Sequence, residues 1–234
     1  MAPKTVSIHR PKGPFRNPTG PQLYHLATIS LMLILPFLIL LALTASATEL
    51  GFRPLLRGNP LSKDFIVDTP GIWTFERGVL KGTHTGLKYN DFLRTRRNYG
   101  NFILKAKFRL KDGAGNSGIQ FRSKPVPDSH EVSGYQADIG QTYWGCLYDE
   151  SRRKKILASP KEGQLAGLDK SGWNEYVMTA NGKHITIELN GIRTVDYEER
   201  EQGIEETGFI AFQVHSGTGI TVEFKDVRIR ELKK

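Results

Sequence analysis

From Asn101 to Lys111 apolar and charged residues alternate almost without a break, with Phe102, Leu104, Ala106, Phe108 and Leu110 set against Lys105, Lys107, Arg109 and Lys111. Successive side chains on a strand point to opposite faces, so this run predicts a β-strand with one buried and one wet face. On a helix the same apolar residues would be spread around the whole cylinder. Related runs rich in Val, Ile, Phe, Tyr and Thr recur beyond residue 60, separated by Gly, Asn-Gly and Asp-Gly. Candidate strands are Trp73 to Arg77, Val79 to Lys81, Phe92 to Thr95, Asn101 to Lys111, Gly118 to Ser123, Gly134 to Ile139, Trp144 to Tyr148, Asn174 to Ala180, Lys183 to Leu189, Ile192 to Tyr197, Gly208 to His215 and Thr221 to Arg230. The pairs Asn181-Gly182 and Asn190-Gly191 sit between strand-like runs, the signature of tight hairpins, and predict a meander of antiparallel strands. So many short strands bury their apolar faces best in two stacked sheets, which makes the fold class all-β, a two-sheet antiparallel β-sandwich of the jelly-roll type. No fixed-period repeat points to a propeller or solenoid.

The N-terminus breaks this pattern. Leu23 to Ala47 contains no Lys, Arg, Asp or Glu, and Lys4, Arg10, Lys12 and Arg16 precede it without an acidic residue. That charge bias keeps an N-terminus cytoplasmic and sends the downstream chain across the membrane. Residues 1–47 therefore read as a basic arm plus a signal peptide or signal anchor, residues 48–64 as a linker, and residues 65–234 as one folded domain. Ala45-Ser46-Ala47 offers the small residues a signal peptidase needs, so cleavage after Ala47 is expected; the length of the apolar run also suits an uncleaved anchor. The expected location is outside the cytoplasm: periplasm, cell envelope or medium. Any membrane attachment would run through residues 23–47.

The formal charge of +9 invites a nucleic-acid reading, but the first 47 residues hold four basic and no acidic groups, which leaves +5 on the rest. Basic residues there are interleaved with acidic ones, and no nucleic-acid-binding motif accompanies them, so no nucleic-acid partner is expected. The dense run Arg152-Arg153-Lys154-Lys155 reads as a solvated loop. Cys146 is the lone cysteine, so an intrachain disulfide is excluded; between Trp144 and Leu147 it reads as a small core-facing residue.

Strand alternation also lines up polar groups. With Ile119 and Phe121 turned to the core, Gln120 and Arg122 share the other face; with Tyr135, Ala137 and Ile139 inward, Gln136 and Asp138 face out; with Phe212 and Val214 inward, Gln213 and His215 face out. Tyr143, Trp144 and Tyr148 are nearby aromatics. If these faces belong to one sheet they form a groove of side-chain amides, a guanidinium, a carboxylate and an imidazole beside aromatic rings. Sugars require that mixture, because hydroxyls need directed donors and acceptors and the apolar face of a pyranose needs a platform. A carbohydrate or glycoside is thus the expected partner.

Several motifs add to this reading: Tyr99-Gly100-Asn101-Phe102, Asn116-Ser117-Gly118-Ile119, Phe121-Arg122-Ser123, Gly172-Trp173-Asn174, Asn190-Gly191, Gly208 to Gly217, and Val222 to Ile229. In order and spacing the chain from about Phe65 to Leu232 resembles the 3-keto-disaccharide hydrolase family. The resemblance implies a concanavalin- or laminarinase-like jelly roll acting on glycosides oxidised at C3. A ketone at C3 acidifies the C2–H, so a positioned base removes that proton and the aglycone leaves C1 by elimination, with water adding back afterwards. The chain departs from the family pattern in carrying Gln136 and Asp138 where relatives carry Glu and Gln, which moves the carboxylate by about 7 Å along the same face. The resulting expectations are Asp138 and His215 as bases, Arg122 and Gln213 as stabilisers of the enolate oxygen, and Gln120, Gln136, Tyr143, Trp144 and Tyr148 as substrate contacts. The alternative is a carbohydrate-binding module without turnover. No cofactor is expected, and no ligand spacing singles out a divalent metal, with His84 and Glu131 as outlying base or ligand candidates.

Overall fold

The computed structural model describes residues 49–233. The expected arm, signal peptide or anchor lies outside the described residues. Among those residues no helix is long and apolar enough to cross a membrane.

The chain forms strands β1 (Arg53–Pro54), β2 (Phe65–Ile66), β3 (Trp73–Glu76), β4 (Val79–His84), β5 (Asp91–Tyr99), β6 (Phe102–Leu110), β7 (Asn116–Pro125), β8 (Val132–Gly140), β9 (Leu147–Glu150), β10 (Lys155–Ala158), β11 (Asn174–Asn181), β12 (His184–Leu189), β13 (Ile192–Glu198), β14 (Gly208–Val214) and β15 (Ile220–Glu231). A short α-helix, α1 (Pro60–Lys63), precedes β2, and a single 3-10 turn, Lys111–Gly113, follows β6. An eight-stranded sheet runs β13-β12-β11-β6-β15-β4-β3, with β1 added on β15, and a seven-stranded sheet runs β10-β9-β8-β7-β14-β5-β2. All pairings between these strands are antiparallel. The expected meander is β11-β12-β13, and Asn190 and Gly191 at its second turn have φ of 51° and 79°. That is the left-handed pair a two-residue hairpin demands.

The alternation on β6 works as the sequence dictates: Phe102, Leu104, Ala106, Phe108 and Leu110 are fully buried between the sheets. Facing them are Ile119 and Phe121 of β7, Tyr135, Ala137 and Ile139 of β8, and Ile210, Phe212 and Val214 of β14. Rings cross the interface, with Phe102 edge-on to Phe121 at 6.1 Å and Phe212 against Phe224 at 4.7 Å. Each such buried aromatic contributes about 1.5–3 kcal/mol, so the two sheets cannot be parted cheaply.

The segment Gly51 to Asp64, expected as a linker, belongs to the fold. Arg53 and Pro54 pair with Ile229 and Arg228 of β15, respectively, and Phe52, Leu55 and Leu56 are buried. The short basic run is also not a solvated loop. Asp149, wholly buried, takes Arg152 at 3.0 Å and a close contact from Arg153, which also binds Glu199 at 2.6 Å. Tyr135 donates its hydroxyl to the same Glu199 at 2.6 Å. This ion network ties the β9–β10 turn to the segment following β13, across the edges of both sheets.

Candidate functional site

Strand pleating sends Gln120, Gln136, Asp138 and Gln213 to the face of the seven-stranded sheet turned away from the core, as the alternation requires. There the side chains of Gln120, Gln136 and Asp138 join in one chain of hydrogen bonds. Ser123 Oγ donates to Gln120 Oε1 at 2.9 Å, Gln120 Nε2 to Gln136 Oε1 at 2.7 Å, and Gln136 Nε2 to Asp138 Oδ2 at 3.1 Å. Asn116 Nδ2 donates to the other carboxylate oxygen at 3.2 Å. Every donor in the chain is aimed toward Asp138, an order that suits a carboxylate at its end.

Gly118 makes the arrangement sterically feasible. The Gln136 side chain lies over it, and a Cβ at Gly118 would come within 2.4 Å of the Gln136 carboxamide carbon. Gly118→Ala is therefore expected to push Gln136 aside and break its bond to Asp138. The carboxyl would lose a partner of its ionised form, so its pKa should rise above the wild-type value of about 7, read by carboxyl-carbon NMR titration.

Electrostatics set this face apart. Burial pushes Asp138 up to about 7, outweighing the hydrogen bonds from Gln136 and Asn116, and the charge of Glu150 adds to the rise. Glu150 itself is raised to about 7, by burial first and by the neighbouring charge of Glu131 next. Tyr176 reaches through from the eight-stranded sheet: its hydroxyl donates to the main-chain carbonyl of Asp138 and accepts from Gly145 N–H at 2.8 Å. The strand end carrying Asp138 is thereby fixed from beneath.

Gln213 is wholly buried, yet neither its Nε2 nor its Oε1 has a partner among the described residues. Leaving such an amide unpaired costs about 1–3 kcal/mol per group. Phe92, Val132, Phe209 and Ala211 form a small apolar cluster on the same face. Tyr148, paired across strands with Gln136, and Tyr143 stand half-buried with ring centroids 6.2 Å apart in an edge arrangement.

Other expected members are elsewhere. Arg122 sits at a β-bulge with φ of 48°, and the register of β7 against both β8 and β14 slips there. One extra residue reverses the alternation, so Ser123 and not Arg122 returns to the outer face. The Arg122 guanidinium instead donates to the carbonyls of Gly100 at 3.0 Å and Gly182 at 2.7 Å and to Asn101 Oδ1 at 3.1 Å, clamping the end of the sandwich. Trp144 is a core residue, stacked on Phe108 at 6.4 Å. His215 lies just past the end of β14 and donates Nδ1–H to the Ser216 carbonyl at 2.8 Å, apart from the Asp138 chain of hydrogen bonds. His84 donates Nε2–H to the His215 carbonyl at 2.9 Å, and Glu131 accepts from Asn90 at 3.2 Å. Among the described residues no three His, Cys, Asp or Glu side chains gather as a metal site. Cys146 is buried beside Asp138, its thiol pushed up to about 11 by burial and then by that carboxylate.

The sequence reading missed Asn116, Ser123 and Glu150. Glu150 was the accessible one, since it stands two residues beyond Tyr148 on the same strand and so shares its face.

A family model described as a 3-keto-alpha-glucoside-1,2-lyase-like domain matches residues 51–230. Among solved structures, a protein from Parabacteroides distasonis provisionally named a glycosyl hydrolase is 19% identical with a TM-score of 0.58, over 78% of this chain and 94% of that one. The carbohydrate-binding module CBM66 from Bacillus subtilis is 16% identical with a TM-score of 0.53, over 77% of this chain and 96% of that one. At these identities the likeness concerns the fold. No curated protein matches the chain.

Proposed function

The chain belongs to the 3-keto-alpha-glucoside-1,2-lyase-like domain family, and we propose that it is a carbohydrate-active enzyme that cleaves the glycosidic bond of 3-keto-glycosides. The observation that carries the proposal is the carboxyl of Asp138, buried at the end of a chain of side-chain hydrogen bonds and held at about 7. A base acting on a C2–H works best with a pKa near the operating pH.

In the proposed step Asp138 takes the C2 proton. The C2–H electron pair becomes the C1–C2 double bond, and the C1–O bond breaks with its pair leaving on the aglycone oxygen, which takes up a proton. Glu150, on the same face and half-protonated near neutrality, is the acid for that oxygen. Addition of water to the unsaturated ketone then gives the free 3-keto sugar. The unpaired Gln213 amide is a donor and acceptor for sugar oxygens, and Tyr143 with Tyr148 offers the aromatic platform. No cofactor takes part in the proposed step. We place the enzyme outside the cytoplasm, delivered by Leu23 to Ala47.

Incubation of the purified protein with a panel of 3-keto-glucosides tests the proposal: release of the aglycone is expected, with a bell-shaped kcat/KM that peaks near pH 7, its acid limb set by ionisation of Asp138 and its alkaline limb by loss of the Glu150 proton. Carbohydrate binding without turnover is the rival reading, favoured by the depth at which Gln120, Gln136 and Asp138 are buried. Retained sugar binding with no aglycone released at any pH would select it.

A further inference from the structure

At the end of the sandwich where β1 approaches β5, five cationic side chains surround one small cleft. It measures about 240 Å³ and is lined by Arg53, Arg57, Lys63, Arg96 and Arg97, with Asp64 as its acidic wall residue. Arg53 and Arg97 share the carboxylate of Glu231 at 2.8 and 2.5 Å and both lie over the Tyr99 ring, at 5.9 and 5.1 Å from its centroid. Arg57, Lys63 and Arg96 have no ion-pair partner among the described residues.

The convergence is built by the fold. Pairing of Phe65 with Thr95 and of Ile66 with Arg94 joins the segment carrying Arg57 and Lys63 to β5. The Arg96 N–H donates to the Asp64 carbonyl at 3.0 Å, which holds the two cationic segments together. Like charges gathered around one cavity repel one another unless an anion lies between them. Arg57, Lys63 and Arg96 are exposed, so core packing does not account for their placement. Arginine forks match tetrahedral oxyanions in geometry, and five cationic side chains against the carboxylates of Asp64 and Glu231 leave an excess of positive charge that favours two negative charges over one.

We propose that this cleft binds the dianion of a phosphate monoester. The site does not depend on the reading of the Asp138 face, and either can fail without the other.

The test is titration of inorganic phosphate and sulfate into the full-length chain in neutral detergent at pH 8, followed by calorimetry, with ionic strength held constant by sodium chloride. Saturable binding is expected, weakened about tenfold or more in the Arg57→Ala, Arg96→Ala double variant and unchanged in Lys88→Ala, which lies outside the cleft. Glucose 6-phosphate and micelles doped with phosphatidic acid distinguish a sugar phosphate from a lipid headgroup as the source, each scored by its dependence on Arg57 and Arg96. Binding of phosphate no tighter than chloride, equal binding of singly charged gluconate, or full binding by the double variant would overturn the proposal.

Discussion

Asp138→Asn lowers turnover of a 3-keto-glucoside by about 10²–10⁴-fold, the usual contribution of a positioned base, while sugar affinity stays within a few-fold. The replacement has nearly the same shape. Its carbonyl still accepts from Gln136, and a turn of the Asn116 amide lets that residue accept from the new NH2, so the chain of hydrogen bonds persists without the charge. The same change has a second, opposite effect. In the folded protein the Asp138 carboxyl is raised to about 7, whereas in the unfolded chain it titrates near the ordinary carboxylate value. Its contribution to stability is therefore full below about pH 4, falls as pH climbs towards 7, and stays at the lower level above it. At pH 8 the wild type carries the cost of a buried charge and the variant does not. Denaturant unfolding should show the variant more stable by about 2–4 kcal/mol at pH 8 and equal at pH 4. Loss of activity joined to a gain in stability is what a functional group held against its own preference produces, and a merely structural carboxylate would give the reverse. Retention of turnover within a few-fold removes Asp138 as the base.

The parts of the fold legible in the sequence are those governed by local forces. Alternation on β8 is unbroken, so the common face of Gln136 and Asp138 could be read directly, and the same holds for the inward set on β6. The two-residue strands β1 and β2 are too short to show a period, and Gly51 to Asp64 is rich in Pro and Gly, so it looked like a linker. Arg122 was misplaced because a bulge adds one residue, and a single step inverts every side chain beyond it. Trp144 was misplaced because it lies in the turn before β9, where alternation does not apply. The burial of Arg153 was invisible because its partner Glu199 is 46 residues away and only the closure of the sandwich brings the two together.

That distant pairing carries the largest expected effect on stability. Arg153 bridges Asp149, which is wholly buried, and Glu199, which is nearly so, and it reaches Glu201 at 3.1 Å. Arg153→Ala leaves Glu199 with the Tyr135 and Tyr197 hydroxyls and the Glu201 N–H but no cation, and leaves Asp149 to Arg152 alone. Taking one partner from a buried ion pair costs about 3–5 kcal/mol, because the charge that remains has lost its compensation. Replacing both partners by apolar residues costs far less, so Arg153→Met combined with Glu199→Leu should recover much of the loss and give a large coupling energy in a double-mutant cycle. The acid limb supplies an independent reading. Burial acts to raise the Glu199 carboxyl, but the bonds from Arg153 and Tyr135 prevail and hold it at about 2. Its stabilisation is present above the ordinary glutamate value and disappears as pH falls towards 2. Arg153→Ala should flatten that limb of the stability curve, and a loss under about 1 kcal/mol at pH 7 with an unchanged acid limb would show the network to be a surface pairing of the ordinary weak kind.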